Sequence, residues 1–330
     1  MTVLLIDHAM YEAYSEEIAR IEQVTGGQIE PVFIPPAGEW LAPEDLERIE
    51  IGTPPNADYE PEGARRFYGA AVRAPKLRWV HLPHAGVDDP VFGRLLDAGV
   101  RLTNASGAMA EPIAWSAIGG LLQLARGFPR WAEAQRRHEW DPHPRSEFPR
   151  DLREQTIVVF GLGAIGMEIA RLARALHLHV IGVRRSPARA GDPVDELVTP
   201  DQLEAVLARA DWLAIASPLT SATNGLFDDR MLGLLPPGAR IVNIARGEII
   251  DEAAMAARLG DGRLGGAYLD VFEQEPLSSD SPLWDLPRVI LSPHDSSTTT
   301  AVDSRLSGYF LRNLERWLLG QPLENEVLER

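Results

Sequence analysis

Short strand-like runs alternate with helical patterns along almost the whole chain, and this alternation restricts the fold more than any other feature. It is typical of α/β folds, in which crossover helices join the strands of a parallel sheet. The 330 residues are enough for about two domains of this kind. The pattern predicts early strands at Val3–Asp7, Ile29–Ile34, Arg78–Leu82 and Arg101–Asn104. It predicts later strands at Ile157–Phe160, Val180–Val183, Trp212–Ala216, Arg240–Ile244, Gly266–Val271 and Val289–Ser292.

The later strands follow one another regularly, with helical segments between them, and this predicts a doubly wound sheet. We expect the last helical segment, Ser304–Leu319, to pack back on the first domain, which would make that domain discontinuous. The predicted domains are therefore residues 1–104 with 295–330, and residues 105–294.

A strongly apolar segment, Glu111–Phe128, lies just after the first group of strands. A helix that is apolar on nearly every side has to be buried, and a subunit interface is one place for it. The segment leads into an arm with Trp131, Trp140 and, between Trp131 and Gln155, three prolines. We expect this arm to be a dimerisation element and the protein to be a homodimer.

Composition excludes several classes of function. The chain has 48 Asp and Glu residues against 32 Lys and Arg, a formal net charge of −16. Nucleic-acid-binding proteins normally present a basic face, so we expect no nucleic-acid partner. With no cysteine, disulfides, thiolate metal sites and a cysteine nucleophile are excluded. Lys76 is the only lysine, and no Gly-Lys-Ser/Thr sequence for a Walker loop is present.

The N-terminal sequence MTVLLIDHAM lacks the basic start and the long apolar core of a signal peptide and is predicted to be a strand. The longest apolar stretch, near Ala117–Ala125, is far shorter than the roughly 20 residues of a membrane helix. We therefore expect a cytoplasmic protein with no membrane partner.

The sequence from Gly161 to Gly166 has the pattern Gly-x-Gly-x-x-Gly, with Ala164 and Ile165 before the last glycine. It directly follows a predicted strand and opens a predicted helix, which is the context of a dinucleotide-binding loop. Gly161 permits the tight turn, Gly163 lets a pyrophosphate approach backbone N–H groups, and Gly166 lets helix and strand pack closely. A purely structural strand-turn-helix is the alternative interpretation.

The end of the second strand of this unit predicts which dinucleotide binds. NAD-specific sites place an acid there, about 20 residues after the glycine loop, to hold the ribose 2′-OH. This chain has Arg184 and Arg185 instead, and its first acid is Asp192. Guanidinium groups bind a 2′-phosphate well, so we predict NADP(H) as the preferred cofactor, with NAD(H) as the alternative. Two solvated surface arginines are the other interpretation.

Arg246, Glu275 and His294 follow the last three predicted strands. The carboxyl ends of parallel strands are where open α/β sheets bind ligands. Beside a dinucleotide, these residue types suit hydride transfer to a 2-oxo acid. An arginine can hold a carboxylate, a histidine can protonate the carbonyl oxygen, and a carboxylate can orient the histidine. Taken singly, each has an ordinary alternative: a surface ion pair, a solvated acid and a strand-end histidine.

These motifs together resemble the D-isomer-specific 2-hydroxyacid dehydrogenase family, in particular glyoxylate and hydroxypyruvate reductases, over nearly the whole chain. The fold that this resemblance implies has two doubly wound parallel-sheet α/β domains: a Rossmann NADP-binding domain and a flavodoxin-like substrate domain. The matching segments are Ala85–Asp88, Thr103–Gly107, Gly161–Gly166, Pro218–Thr223, Asn243–Gly247, Asp270–Pro276, Ser292–His294, Asn313–Leu314 and Gly320–Leu323.

The resemblance also implies roles for individual residues. Arg246 would bind the carboxylate and carbonyl of the substrate, His294 would be the general acid/base, and Glu275 would be its partner. The backbone of Ala85, Gly86 and Val87 would hold the substrate carboxylate. The cofactor cleft would be lined by Pro218, Thr223, Ile244 and Ala245, with Asp270 on the nicotinamide carboxamide. The family is usually dimeric, in agreement with the homodimer expected above.

Two departures from the family pattern bear on the substrate and the activity. After the catalytic histidine the family generally has small residues, whereas this chain has Asp295, Ser296 and Ser297. The Asp295 carboxylate either perturbs His294 or points to solvent. Trp115 stands where the apolar helix usually carries an acid.

Three alternatives to a reductase of small 2-oxo acids such as glyoxylate or hydroxypyruvate stay open. A non-catalytic dinucleotide sensor or corepressor can share this fold, although such a protein would be expected to lack Arg246, Glu275 or His294. A formate or phosphite dehydrogenase is disfavoured because formate dehydrogenases typically have Gln at the position of Glu275. His81 and His84 could suggest a metal, but no metal-ligand spacing supports one, and we expect no metal site.

Overall fold

The computed structural model of the protein describes residues 1–56, 60–84 and 89–327. The chain divides into two compact units, Met1–Ala108 with Thr300–Arg330, and Met109–Thr299. Over the described residues, each unit is a parallel sheet with helices between its strands, so the predicted α/β fold class is confirmed.

The strands of the described chain are β1 (Thr2–Ile6), β2 (Ile29–Phe33), β3 (Ile51–Gly52), β4 (Trp79–Leu82), β5 (Arg101–Asn104), β6 (Thr156–Phe160), β7 (His179–Val183), β8 (Glu196–Val198), β9 (Trp212–Ile215), β10 (Arg240–Asn243), β11 (Gly266–Leu269) and β12 (Val289–Leu291). Its helices are α1 (His8–Ala13), α2 (Ser15–Thr25), α3 (Pro43–Leu46), α4 (Pro61–Ala71), α5 (Pro90–Asp97), α6 (Ala110–Arg126), α7 (Phe128–Arg136), α8 (Ala164–Ala175), α9 (Leu203–Leu207), α10 (Asp229–Gly233), α11 (Glu252–Gly260) and α12 (Val302–Leu318). Across these described ranges, none of the helices has the length and apolar content needed to cross a bilayer.

The first unit contains a parallel sheet in the order β2-β1-β3-β4-β5 over its described strands. This is the strand order of flavodoxin-like folds, as predicted. The C-terminal helix α12 packs against the sheet, where Phe310 and Trp317 stack on Trp79 at ring-centroid distances of 5.9 and 5.5 Å. The segment that follows the second unit is thus part of the first unit's core.

The second unit contains a parallel sheet in the order β12-β11-β10-β9-β6-β7-β8 over its described strands. Except for the added β12, this is the doubly wound order of dinucleotide-binding domains, so the predicted Rossmann fold is confirmed. The order reverses between β6 and β9. The crevice outside the carboxyl ends of those two strands is therefore the expected place for a dinucleotide.

All predicted strands form, with ends that lie within two residues of the predicted ones. The sequence pattern misses two short strands, β3 and β8. A two-residue strand such as β3 shows no alternation that could be recognised in a sequence. β8 has three residues and lies at the edge of its sheet, where its side chains are less completely buried.

The predicted apolar helix forms as α6, but it is not buried on every side. Ala114, Ala117 and Leu121 are buried, whereas the side chain of Trp115 is 51% exposed. The buried face packs against α8 and the neighbouring strands. The expectation of a fully buried helix is therefore wrong for the single chain, and burial of the outer face by a second subunit stays a prediction.

Two adjacent glycines of α6 face different surroundings. A Cβ atom added to Gly120 would lie 2.4 Å from Cγ of Tyr268 on β11, which real Cβ atoms do not tolerate. A Cβ atom added to Gly119 would meet no heavy atom within 4 Å in the described chain. Close packing of helix on sheet therefore requires a glycine at position 120 but not at position 119.

Gly120→Ala is expected to lower the free energy of unfolding by about 1–3 kcal/mol, because the Tyr268 ring has to move to admit a methyl group. Gly119→Ala is the matched control and is expected to raise it by up to about 1 kcal/mol, since alanine favours the helix. Urea denaturation followed by circular dichroism measures both values. Equal changes in the two variants would contradict the close contact between α6 and Tyr268.

Candidate active site

The glycine loop after β6 has the geometry that a bound pyrophosphate requires. Gly161 has φ +96°, and a Cβ atom there would lie 2.7 Å from Cα of Ser217. A Cβ atom on Gly166 would lie 1.8 Å from the carbonyl oxygen of Gly161. Gly163 has open space where a Cβ atom would be, with no heavy atom within 4 Å in the described chain. Two of the three glycines are thus sterically required, and the third leaves room beside the backbone.

The N-terminus of α8 follows this loop. Gly163 is the N-cap residue and offers no side-chain hydrogen bond to the helix. Ala164 and Ile165 form its first turn, so backbone N–H groups at a positive helix end are available to an anion. A phosphate group fits a site of this kind, and the residues present therefore suit the predicted dinucleotide.

Arg184, the first of the two predicted phosphate-binding arginines, binds groups of its own loop. Its side chain is 9% exposed and forms an ion pair with Asp192, with Nη1 3.1 Å from Oδ1. It also donates to the carbonyl oxygens of Ser186 and Pro187 at 3.1 and 2.6 Å. Hydrogen bonding to this guanidinium lowers the pKa of the Asp192 carboxyl. The donors of Arg184 thus hold the turn together.

Arg185 has a different environment from its neighbour. Its side chain is exposed, and no acid of the described residues forms an ion pair with it. Of the two arginines at the end of β7, Arg185 is therefore the one with an available guanidinium.

The register of three adjacent strands brings the predicted catalytic segments to one edge. Asn243 of β10 pairs with Leu269 of β11, and Leu269 pairs with Leu291 of β12. Arg246 lies three residues after Asn243, and His294 lies three residues after Leu291. Both therefore lie at the carboxyl edge of the sheet. The glycine loop lies at the same edge, after β6 of the same sheet.

His294 and Glu275 form a hydrogen-bonded pair. Nδ1 of His294 lies 2.8 Å from Oε2 of Glu275, and Oε1 of Glu275 accepts the backbone N–H of Phe272 at 3.1 Å. A carboxylate can only accept, so Nδ1 carries the hydrogen and Nε2 is the basic nitrogen of the neutral ring. The His294 side chain is 47% exposed, which leaves this nitrogen accessible.

The loop that carries Arg246 is held by a buried amide. Asn243, 1% exposed, donates through Nδ2 to the carbonyl of Arg246 at 3.0 Å and accepts the N–H of Ala245 through Oδ1 at 3.1 Å. The Arg246 side chain is exposed, and its Nη1 donates to the carbonyl of Ala245 at 2.7 Å. Asn243 belongs to the sequence motif, but its positioning role could not be recognised from the sequence.

A buried carboxylate organises the loop around His294. Asp270 is 1% exposed, and its Oδ1 accepts the hydroxyl of Ser292 at 2.6 Å and the N–H of Asp295 at 3.0 Å. The N–H and the hydroxyl of Ser296 also donate to this carboxylate. Ser292 in turn shares a 2.8 Å hydrogen bond with the hydroxyl of Tyr268. Sequence reasoning missed both serines as positioning residues, because it treated Ser292 only as part of a matching segment and Ser296 only as a departure from the family pattern.

The carboxylate of Asp295, which directly follows His294, takes no part in the hydrogen bonds around Asp270. The Asp295 side chain is exposed and accepts the hydroxyl of Thr298. Its carboxylate caps the turn after the histidine and does not pair with the imidazole, which favours the solvent-facing alternative.

The remaining predicted site residues are only partly described. Ala85, Gly86 and Val87 lie outside the described residues. Ile244 and Ala245 are the first residues of the loop that follows β10, and both are buried, at 6% and 8% exposure. The loop after β9 is closed by the Thr223 hydroxyl, which donates to the carbonyl of Pro218 at 2.8 Å. Contacts of these residues and of Asp270 with a cofactor stay predictions.

The first unit does not support the metal alternative that involved His81 and His84. His81 lies on β4 and is 1% exposed, and its Nδ1 shares a 2.9 Å hydrogen bond with the hydroxyl of Thr103. Burial is the main cause that lowers the pKa of His81 to about 3, with smaller contributions from His84 and Arg312. Within the described ranges, no group of three His, Asp or Glu side chains could hold a metal ion.

Comparison with known proteins identifies the family. The sequence profile described as "D-isomer specific 2-hydroxyacid dehydrogenase, NAD binding domain" matches residues 118–296, which is more than half of the chain. Glyoxylate/hydroxypyruvate reductase B of Pectobacterium carotovorum is 33% identical over 77% of this chain and 80% of that protein.

Solved structures agree with this result. A D-isomer specific 2-hydroxyacid dehydrogenase from Xanthobacter autotrophicus in complex with NADPH and MES is similar with a TM-score of 0.75 and 28% identity, over 99% of this chain and 98% of that one. An NADPH-dependent glyoxylate/hydroxypyruvate reductase from Sinorhizobium meliloti in complex with NADP and sulfate gives a TM-score of 0.74 and 27% identity, over the same fractions. The matched profile covers more than half of the chain and the solved structures share its fold, so the chain is a member of the D-isomer specific 2-hydroxyacid dehydrogenase family.

Proposed function

We propose that the protein reduces a small 2-oxo acid to the D-2-hydroxy acid with NADPH. The observation that carries this proposal is the 2.8 Å pair of His294 and Glu275 at the carboxyl edge of the sheet that also bears the glycine loop. The dinucleotide, when bound, supplies a hydride to the carbonyl carbon of the substrate. The protein then has to supply a proton to the carbonyl oxygen and a binding site for the substrate carboxylate.

His294 supplies the proton. In its protonated form the Nε2–H bond donates to the carbonyl oxygen, and the proton passes to that oxygen as the carbon–oxygen double bond becomes a single bond. Neutral His294 remains, with its Nδ1–H bonded to Glu275. The carboxylate keeps the ring in one orientation and stabilises the imidazolium before the transfer. In the reverse direction, the same nitrogen accepts the hydroxyl proton.

Arg246 binds the carboxylate of the substrate. Its guanidinium is exposed, and Asn243 fixes the backbone that carries it. A planar forked donor matches a carboxylate and the adjacent carbonyl oxygen better than a point charge does. The same donors stabilise negative charge on that oxygen as the hydride arrives. The backbone of Ala85, Gly86 and Val87 is the proposed second ligand of the carboxylate.

Arg185 is the residue that selects NADPH. Arg184 is bound to Asp192 and to two carbonyl oxygens, whereas the guanidinium of Arg185 is exposed at the end of β7. We therefore assign the 2′-phosphate contact to Arg185 and the shape of the turn to Arg184. The sequence alone predicted the same role for both arginines.

A panel of 2-oxo acids, including glyoxylate and hydroxypyruvate, assayed with NADPH and with NADH tests the proposed function. We expect turnover to the D-product and a clear preference for NADPH in kcat/KM. Arg185→Gln is expected to lower kcat/KM for NADPH by about tenfold or more and to leave that for NADH nearly unchanged, because it removes a charge-assisted hydrogen bond.

Arg209→Gln is the matched control for this measurement, since Arg209 is an exposed arginine that pairs with Glu196 on the same sheet. Equal or better use of NADH by the unmodified protein would contradict the cofactor assignment. Binding of NADPH without turnover of any acid in the panel would favour a dinucleotide sensor.

His294→Ala is expected to lower kcat by about 10²–10⁴-fold while NADPH binding, followed by fluorescence titration, is preserved. Glu275→Gln should lower kcat by a smaller factor, because the glutamine oxygen still accepts the Nδ1–H bond of His294 but the charge that stabilises the imidazolium is lost. Glu273→Gln makes the same chemical change two residues away, on a side chain that accepts the backbone N–H of Glu252 instead. An unchanged kcat in His294→Ala would contradict the role of His294 as the proton donor.

Arg246→Lys is expected to raise KM and lower kcat together, because it keeps the charge but loses the forked geometry. Arg246→Ala should have the larger effect on oxo acids and little effect on NADPH affinity. Steady-state kinetics and fluorescence titration separate the two effects. If Arg246→Ala abolished NADPH binding and spared the KM of the oxo acid, the residue would belong to the cofactor site.

A further inference from the structure

A separate cavity lies in the Met109–Thr299 unit, at the edge of the sheet opposite to His294. It has a volume of about 590 Å³ and is lined by residues at the amino ends of the strands and by residues of the arm that follows α7. Arg240 is the first residue of β10, and Arg288 directly precedes β12. The family comparison and the proposed mechanism give this cavity no role.

Two of the arginines that line the cavity form ion pairs with carboxylates. Arg130 makes a two-pronged bond to Asp141, with both N–O distances at 2.7 Å, and a further one to Glu147 at 2.6 Å. Arg150 pairs with Asp211, whose other oxygen accepts the backbone N–H of Thr156 at 2.9 Å. The carboxylates near the cavity are thus already engaged.

The other two arginines lack such partners. Arg240 stacks over the Trp212 ring at 4.9 Å, and neither it nor Arg288 forms an ion pair with an acid of the described residues. Burial lowers the pKa of Arg240 and the nearby positive charge of Arg288 lowers it further, while the Asp211 carboxylate, which is paired with Arg150, partly offsets these effects. Two guanidinium groups of like charge therefore share one cavity in a protein whose net charge is −16.

His143 lines the same cavity and is also incompletely bonded. Its ring packs against Trp131 at a centroid distance of 5.3 Å, and both of its ring nitrogens are buried without a hydrogen-bond partner in the described chain. A buried polar atom without a partner is costly, so the described chain leaves the imidazole incompletely satisfied.

We propose that the cavity lined by Arg240 and Arg288 binds the phosphate group of a small molecule. A phosphate has enough oxygens to accept charge-assisted hydrogen bonds from both guanidinium groups. The volume exceeds that of a bare phosphate, so a phosphate ester also fits. The site is separate from the proposed reaction, because Arg240 and His294 lie at opposite ends of the strands of one sheet.

Isothermal titration of the full chain with inorganic phosphate, at constant ionic strength in chloride, tests the site. We expect saturable binding of one phosphate per chain. Arg288→Gln and Arg240→Gln should each weaken it by about tenfold, since each removes a charge-assisted bond. Arg288→Gln is the more informative variant because Arg288 is exposed and its loss leaves the Trp212 packing intact. Arg171→Gln, an exposed arginine of α8 outside the cavity, should leave the affinity unchanged.

Parallel variants separate this site from the anion sites of the proposed function. Arg185→Gln and Arg246→Gln should leave the phosphate affinity unchanged. The proposal is overturned if these two variants abolish binding and Arg288→Gln does not, or if the unmodified chain shows no saturable binding. It is also overturned if Arg288→Gln alters only the sedimentation coefficient, because a second copy of the chain would then fill the cavity.

A titration with glycerol phosphate identifies the source of the phosphate group. Tighter binding of the ester than of inorganic phosphate, with the same loss in Arg288→Gln, assigns the site to a phosphorylated metabolite. Equal affinities with that loss assign it to free phosphate. Both results support the proposal, whereas ester binding that is insensitive to Arg240 and Arg288 contradicts it.

Discussion

The buried carboxylate of Asp270 is the group on which the active-site edge depends. A charge that is 1% exposed is tolerated only when it is fully hydrogen-bonded, and here its donors are Ser292, Asp295 and Ser296. All three donors come from the segment that follows β12. The cost of an unsatisfied buried charge therefore ties the end of β11 to this segment. Ser296, which looks like a departure in the sequence, supplies two of these hydrogen bonds.

This anchoring also holds an unfavourable backbone conformation. His294 has φ +54°, a region that non-glycine residues enter at a cost of about 1 kcal/mol or more. Its N–H donates to the carbonyl of Asp270 at 2.8 Å, and its ring nitrogen bonds to Glu275 at 2.8 Å. The residue is thus fixed on both its backbone and its side chain. A general acid must stay aligned with its substrate, and this arrangement provides the alignment before any ligand binds.

The sequence predicted the strands and the edge where the catalytic residues lie, because hydrophobic runs and the ends of parallel strands follow simple rules. Apart from the pair of His294 and Glu275, which the family resemblance implied, it could not predict how individual polar side chains would pair. Arg184 and Arg185 are chemically identical in the sequence, yet only the local turn brings Asp192 within reach of Arg184. Trp115 is similar, since its apolar character predicted burial that a single chain does not provide. Pairing and partial exposure depend on three-dimensional contacts that periodicity does not encode.

The net negative charge of the chain restricts how the sheet of the second unit can bind anions. With a net charge of −16, the chain repels anions at long range, so an anion has to be held by hydrogen-bond donors in direct contact, such as guanidinium groups. Arg240 opens β10 and Arg246 follows it, and a strand of this length spans about 13 Å. The screening length at physiological salt is about 8 Å. Charge at one edge is therefore largely screened from the other, and any coupling between the two edges has to pass through the backbone of β10 and its neighbours.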